Sequence, residues 1–257
     1  MENNKFLVII PARFASTRFP GKPLAMLGGS TVIRRVYEQA KKAIDNVIVA
    51  TDDERIFNHV NSFGKAVMTG AHHRSGTDRC WEAYQINGGN EDIIINVQGD
   101  EPFIQPDQIK AIMQCFDDAT TDIATLIKPF DQQGNYTDLE DSNKVKVVTD
   151  INMNALYFSR SVIPHLRGLE KELWPSRHQY YTHLGMYAYR ASVLQQITQL
   201  QPSSLEISES LEQLRWLENG LKIKVGITQH SSIGIDTPHD LERAEQFLSK
   251  QSYLLWQ

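Results

Sequence analysis

From Lys5 to Ile127 the sequence keeps returning to one pattern: a short unbroken apolar run, a loop, then a stretch with apolar residues at helical spacing. The runs are KFLVIIP (Lys5–Pro11), NVIVAT (Asn46–Thr51), KAVMT (Lys65–Thr69), DIIINV (Asp92–Val97) and DIATLI (Asp122–Ile127). None alternates polar with apolar residues, so each reads as a strand covered on both faces, the condition of a parallel sheet. Val32, Ile33, Val36 and Ala40 mark the first intervening helix, and Ile56, Val60 and Phe63 the second. Trp81, Tyr84 and Gln85 mark the third, and Ile109, Ile112, Met113 and Phe116 the fourth. Strands alternating with crossover helices predict an α/β fold with a mostly parallel central sheet, and place ligands outside the carboxyl ends of its strands.

Beyond Lys128 the rhythm changes. KVKVVT (Lys144–Thr149) and ALYF (Ala155–Phe158) flank a turn-rich Asp150–Asn154 and predict a hairpin. Arg160–Thr182 is irregular, Leu184–Tyr189 reads as a strand, Ser208–Asn219 as one helix and Ile223–Thr228 as a strand. A last helix over Thr237–Lys250 is opened by Pro238. The expectation is one domain over residues 1–257 with an inserted module at about 129–190.

Composition narrows the function classes. Apolar residues make up 41% and charged residues 22%, an ordinary globular balance that excludes fibrous and disordered chains. The apolar run Phe6–Ile10 falls far short of the ~20 residues of a membrane span, so a cytoplasmic protein with no membrane insertion is expected. Cys80 and Cys115 form no CxxC pair and read as free buried thiols. A net charge of −5 argues against nucleic acid as a partner.

Against that acidic balance, PARFASTRFPGKPL (Pro11–Leu24) carries Arg13, Arg18 and Lys22 with no acid, directly after the first strand. Arginine can chelate phosphate oxygens through two N–H groups, lysine adds a point charge, and Ser16, Gly21 and backbone amides can line a polyphosphate closely. Walker A spacing fails, since Ser16 stands where glycine is needed and Pro23 where Ser or Thr is needed. No GxGxxG follows the strand. NVQGDEP (Asn96–Pro102) puts Asp100 in a turn at the same sheet edge, where a carboxylate can hold Mg²⁺ completed by water and substrate phosphates. Asp236 in GIDTPHDL is a second such carboxylate and also the expected N-cap of the last helix. GAHHRSGTDR (Gly70–Arg79) leads into a helix whose free N–H groups suit an anion or a base edge, and its His pair has no third ligand at metal-binding spacing.

In the second half, Arg160 follows a strand and Arg167 lies in the irregular stretch. His183 and Tyr187 fall on one face of a strand across Gly185. On the expected Ser208–Asn219 helix, Glu209, Glu212, Gln213 and Trp216 form one stripe able to hydrogen-bond a polyhydroxylated ligand, with Glu209 itself expected to face solvent.

The ordered blocks PARFASTRFPGKPL, HHRSGTDR, NVQGDEPFI, ALYFSR, HLGMYAYR, LEQLR and GIDTPHDLER resemble the 3-deoxy-manno-octulosonate (Kdo) cytidylyltransferases, or CMP-Kdo synthetases, over about residues 6–246. The resemblance implies a Rossmann-like nucleotide-diphospho-sugar transferase fold, a homodimer formed through the inserted module, Mg²⁺ dependence, and activation of Kdo by CTP for lipopolysaccharide assembly. Carried onto this sequence, it implies that Arg13, Ser16, Arg18 and Lys22 hold the triphosphate, that Ser75, Thr77 and Gln98 lie around the cytidine, and that Asp100 and Asp236 are the metal ligands. It implies that Arg160, Arg167, His183, Tyr187, Glu212 and Gln213 surround the sugar acid. The sequence carries Asp78 where many members have glutamate, and Thr182 where they have a basic residue before His183.

The mechanism so implied is in-line attack of the anomeric hydroxyl on the α-phosphorus of CTP, releasing pyrophosphate, with catalysis mostly positioning and charge stabilisation. No dedicated general base stands out. Two alternatives stay open: the same chemistry on 8-amino-Kdo or a sialic acid, and a non-catalytic nucleotide-binding regulator on the same fold.

Overall fold

The computed structural model describes residues 4–231 and 233–254. The chain divides into two compact units, residues 1–109 with 232–257, and residues 110–231. The expected module at about 129–190 lies inside the second unit.

The first unit opens with β1 (Phe6–Ala12), whose Leu7, Val8, Ile9 and Ile10 are fully buried. Burying each such side chain contributes about 1.5–3 kcal/mol, which fixes the strand in the middle of the sheet. A two-residue hairpin, β2 (Met26–Leu27) and β3 (Ser30–Thr31), precedes α1 (Val32–Lys41), where the Thr31 side chain caps by accepting from the Arg34 N–H. β4 (Val47–Thr51), α2 (Glu54–Asn61), β5 (Ala66–Met68), α3 (Gly76–Ile86) and β6 (Ile93–Asn96) follow in alternation. The β4 and β6 strands are buried along their whole length, as their unbroken apolar runs require.

β1 pairs in parallel with β4 on one side and β6 on the other, and β4 pairs in parallel with β5. The chain therefore winds outward from β1 through β4 to β5 and then returns to β1's other flank at β6. The loops after β1 and β6 part at this reversal, which opens a crevice at the carboxyl ends of the two strands. α4 (Pro106–Gln114) leads out of the unit, and α10 (Pro238–Leu254) completes it by packing Ala244 with Leu27, Val32, Phe103 and Ile235.

In the second unit, β7 (Ile123–Pro129) precedes the short α5 (Tyr136–Glu140) and the hairpin of β8 (Lys146–Thr149) and β9 (Ala155–Ser159). The Asp150 carboxylate closes that hairpin by accepting from the Asn152 and Asn154 N–H groups, both at 2.8 Å. A single-turn α6 (Trp174–Arg177) interrupts the irregular stretch, where Trp174 packs with Leu139 and Tyr180 in a separate small core. β10 (Tyr181–Arg190) runs antiparallel to β7, with a register shift between Leu184 and Tyr187, and α7 (Ala191–Thr198) follows. β11 (Ile223–Ile227) pairs in parallel with β7.

The helix expected over Ser208–Asn219 is two helices, α8 (Ser204–Glu209) and α9 (Gln213–Glu218). Ser210 breaks it in the left-handed conformation, at φ 52°. The stripe of Glu209, Glu212, Gln213 and Trp216 consequently does not exist as one helical face, and Trp216 is a buried core residue. Cys80 is fully buried; Cys115 is partly buried, and burial pushes its thiol up to about 11. No described helix is long and apolar enough to cross a membrane.

Candidate functional site

The basic loop is folded onto itself where β1 ends. The Phe14 carbonyl accepts from both the Ser16 N–H (3.0 Å) and the Gly21 N–H (2.9 Å). Gly21 is left-handed (φ 72°), and a Cβ there would stand 2.9 Å from the Phe14 ring, so only glycine closes this turn against that ring. From outside, the Arg55 guanidinium stacks 3.4 Å from the Phe14 ring centre while it pairs with Asp53 at 2.7 Å. Arg13 and Arg18 are thereby presented on a loop held at its base.

The loop after β6 lies directly on the end of β1, because a Cβ on Gly99 would sit 2.6 Å from the Pro11 carbonyl oxygen. This close approach sets Asp100 against the basic loop: Lys22 Nζ donates to Asp100 Oδ2 at 2.6 Å and to Asp236 Oδ1 at 3.2 Å. Arg18 Nη2 reaches the same Asp236 oxygen at 3.2 Å. Two carboxylates far apart in sequence thus converge on one ammonium.

Asp236 was expected to cap α10, and it does not. Thr237 is the cap, its hydroxyl accepting from the Asp240 N–H at 3.2 Å, while the Asp240 carboxylate accepts back from the Thr237 N–H at 2.9 Å. The pair is a reciprocal capping box, and it leaves the Asp236 carboxylate free for Lys22 and Arg18.

α3 begins at the same edge. Ser75 caps it by accepting from the Asp78 N–H at 3.1 Å. Two clamps fix the loop before it. Arg79, almost wholly buried, donates to Asp52 (2.9 Å) and to the Thr69 hydroxyl (2.6 Å). Glu82 accepts from the Gly70 N–H at 2.8 Å and binds the His73 imidazole. Burial alone would raise the Glu82 carboxyl, but His73 and the Gly70 N–H outweigh it and hold it below its ordinary value.

These elements enclose a cleft of about 240 Å³ lined by Arg13, Ser16, Arg18, Lys22, Ser75, Gln98, Asp100 and Asp236. Of the residues expected on the nucleotide side, only Thr77 is absent from the lining; it is buried in the first turn of α3. His73 and Arg74 line the cleft as well, and the sequence reading gave them no role. Among the described residues no group of three or more His, Cys, Asp or Glu side chains gathers to hold a metal ion. The pair Asp100 and Asp236 is the cleft's candidate donor set.

The remaining expected residues lie in the second unit. His183 and Tyr187 meet with ring centres 5.3 Å apart, the register shift in β10 notwithstanding. Burial pushes His183 down to about 3, and its Nε2 shares a hydrogen bond with the Thr125 hydroxyl at 2.9 Å. The Tyr187 phenol is held protonated far above neutral pH by burial and by the charge of Glu212. Gln213 is buried, and no protein group accepts from its Nε2. Arg160 donates to the carbonyls of Glu209 (2.6 Å), Ser142 (3.0 Å) and Ser210 (3.3 Å). Arg167 stands exposed in the irregular stretch. Glu209 was expected to face solvent; instead its carboxylate accepts from the Ser159 hydroxyl at 2.6 Å and the Arg160 N–H at 2.9 Å.

The family model described as Cytidylyltransferase matches residues 7–223. The 3-deoxy-manno-octulosonate cytidylyltransferase of Bacteroides thetaiotaomicron is 61% identical over 249 residues, covering 96% of this chain and 100% of that one. The chain belongs to the 3-deoxy-manno-octulosonate cytidylyltransferase family. The relative of the same name from Thermodesulfovibrio yellowstonii is 48% identical over 96% of this cytidylyltransferase and 99% of its own length. Among solved structures, a CMP:2-keto-3-deoxy-manno-octonic acid synthetase complexed with CTP superposes with a TM-score of 0.87 at 39% identity, covering 96% of this chain and 99% of that one. The central sheet, mostly parallel, is thus that of the nucleotidyltransferase fold.

Proposed function

We propose that this cytidylyltransferase transfers CMP from CTP to the anomeric hydroxyl of Kdo, giving CMP-Kdo and pyrophosphate. The observation that carries the reading is the convergence of Asp100 and Asp236 on Lys22 in a cleft that also presents Arg13 and Arg18. A cleft with that charge layout suits a polyphosphate bound with a cation, and the 39%-identical synthetase with CTP supports CTP as the nucleotide.

The chain's own groups divide the work. Arg13, Arg18 and Ser16 hold the triphosphate, and Ser75 and Gln98 bound the cytidine end of the cleft. Lys22 offsets negative charge on the departing pyrophosphate and holds the two carboxylates together against their mutual repulsion. Asp100 and Asp236 each place an oxygen against the same ammonium, and magnesium commonly takes only one or two protein carboxylates. Asp100 and Asp236 would hold Mg²⁺, which when bound neutralises phosphate charge and makes the attacking hydroxyl more acidic. On the acceptor side, Arg160 and Arg167 meet the sugar's carboxylate, and His183, Tyr187, Glu212 and Gln213 its hydroxyls. The neutral imidazole of His183 and the unpartnered amide of Gln213 suit uncharged hydroxyls better than a second acid.

The same reading makes the protein a cytoplasmic homodimer that supplies lipopolysaccharide assembly. Exposed Ile151, Leu156, Leu169 and Leu173 in the second unit support the dimer as apolar surface to cover. Pyrophosphate release from CTP and Mg²⁺ with freshly made Kdo, beside 8-amino-Kdo, N-acetylneuraminate and a no-sugar blank, tests the assignment. Release with Kdo alone is expected; release only with another sugar would overturn the acceptor, and none with any sugar would favour a nucleotide-binding regulator.

A further inference from the structure

We propose, on the Kdo reading above, that Glu209 is a positioning residue for the acceptor: it locks Arg160 so that two N–H groups of the guanidinium stay available for the sugar's carboxylate. The Glu209 side chain grips the start of the Arg160 residue through the backbone N–H (2.9 Å) and through Ser159 Oγ (2.6 Å). Ser159 is itself buried, and its Oγ also accepts from the Ser161 N–H at 3.0 Å, which fixes the hydroxyl that Glu209 binds. The Glu209 main chain then grips the other end of the same residue, its carbonyl accepting from Arg160 Nε at 2.6 Å. The Ser210 and Ser142 carbonyls take one N–H from each terminal nitrogen, at 3.3 and 3.0 Å.

A guanidinium has five N–H groups. Three are consumed by carbonyls, one on Nε and one on each terminal nitrogen, so one N–H remains on each terminal nitrogen. Two N–H groups are the number a carboxylate takes in bidentate recognition. Because all three partners are backbone carbonyls, the arginine is oriented without being neutralised. The left-handed Ser210 follows from the same arrangement: it turns the chain so that the Glu209 and Ser210 carbonyls both reach Arg160, and Glu212 and Gln213 come two and three residues later. Glu209 thus sets Arg160 and, through the corner between α8 and α9, the start of the helix that carries Gln213.

The test is steady-state kinetics of Glu209→Ala with Kdo and CTP varied separately, with Tm measured with and without CTP. Loss of a charge-assisted hydrogen bond to the positioning group is expected to raise KM for Kdo about tenfold. KM for CTP and the rise in Tm on adding CTP are expected to stay at wild-type values, since the triphosphate residues all lie in the first unit. Ser159→Ala, which keeps the carboxylate and removes one of its two donors, is expected to raise KM for Kdo less, and it decides the matter if Glu209→Ala fails to fold. An unchanged KM for Kdo in the folded variants, or equal rises in both KM values, would overturn the positioning role. A wild-type enzyme active on Kdo in the same assay separates that failure from failure of the acceptor reading, which an inert wild type would take down together with the proposal.

Discussion

The Ile235 N–H donates to the Asp100 carbonyl at 2.9 Å, tying together two loops that 135 residues of sequence separate. Ile235 is fully buried among Leu27, Val32 and Phe103, so this tie is anchored in the core rather than in solvent. Its consequence is that Asp236, the next residue, is delivered beside Asp100, where Lys22 bridges the two.

Asp100→Asn and Asp236→Asn are each expected to lower turnover about 10²–10³-fold, the scale seen when a preorganised electrostatic group is removed from a reacting centre. Both side chains are partly exposed and neither caps a helix, so Tm is expected to stay near the wild-type value. Pyrophosphate release and thermal melting on the same samples check this; near-normal release in either variant would refute the carboxylate pair.

Thr237→Ala separates the cap from the site. Removing the hydroxyl that accepts from the Asp240 N–H is expected to cost about 1 kcal/mol of stability. The Asp236 carboxylate keeps Lys22 and Arg18, so turnover should persist. Thermal melting and pyrophosphate release would then move in opposite ways for Thr237→Ala and Asp236→Asn.

Much of the first unit was legible in the sequence because its strands are covered on both faces, and an unbroken apolar run such as Phe6–Ile10 has few other homes. The basic loop was legible for a related reason: three cations without an acid, placed straight after a strand, stand out in a chain of net charge −5. The helix break at Ser210 was not, since Ser208–Asn219 keeps helical spacing throughout and what defeats it is tertiary: Glu209 is captured by Ser159 and Arg160 from a strand 49–50 residues earlier. Asp and Thr are both good caps, so position alone does not separate Asp236 from Thr237; the Asp240 three residues after Thr237 is the local signal that favours Thr237. The clamps on Gly70–Ser75 gave no signal, because Arg79 and Glu82 look like any surface charges on a helix.

Asp52→Ala is expected to destabilise the protein by about 3–5 kcal/mol, because it strands the buried Arg79 guanidinium without its counter-charge. Arg79 would retain only the Thr69 hydroxyl and a long bond to the Gly70 carbonyl, neither of which carries charge. Urea unfolding measures the loss directly, and a change below 1 kcal/mol would mean that water reaches Arg79.

Gly99→Ala is expected to cost about 1–3 kcal/mol as an overpacking change, since the added methyl meets a backbone carbonyl and not a side chain that can turn away. The strain falls on the peptide next to Asp100, so KM for CTP should rise in the folded fraction. Melting and CTP kinetics report the two effects separately.

The pH dependence of stability should carry the signature of His183. Its folded pKa, about 3, lies below the ordinary value of 6.5 because burial disfavours the charged ring. Protons therefore bind the unfolded chain first: the histidine's contribution is complete above about 6.5 and is lost as the pH falls from there towards 3. The slope contributed is at most about 1.4 kcal/mol per pH unit. His59, lowered by burial and by Arg34, adds to the same window. His183→Gln keeps a hydrogen-bonding partner for the Thr125 hydroxyl but cannot titrate, so it should flatten the stability curve between pH 6.5 and 5 without abolishing the slope that His59 supplies. Urea midpoints across that range test the sign as well as the size: a wild-type slope no steeper than the variant's would mean that His183 is accessible to water and titrates like an ordinary histidine.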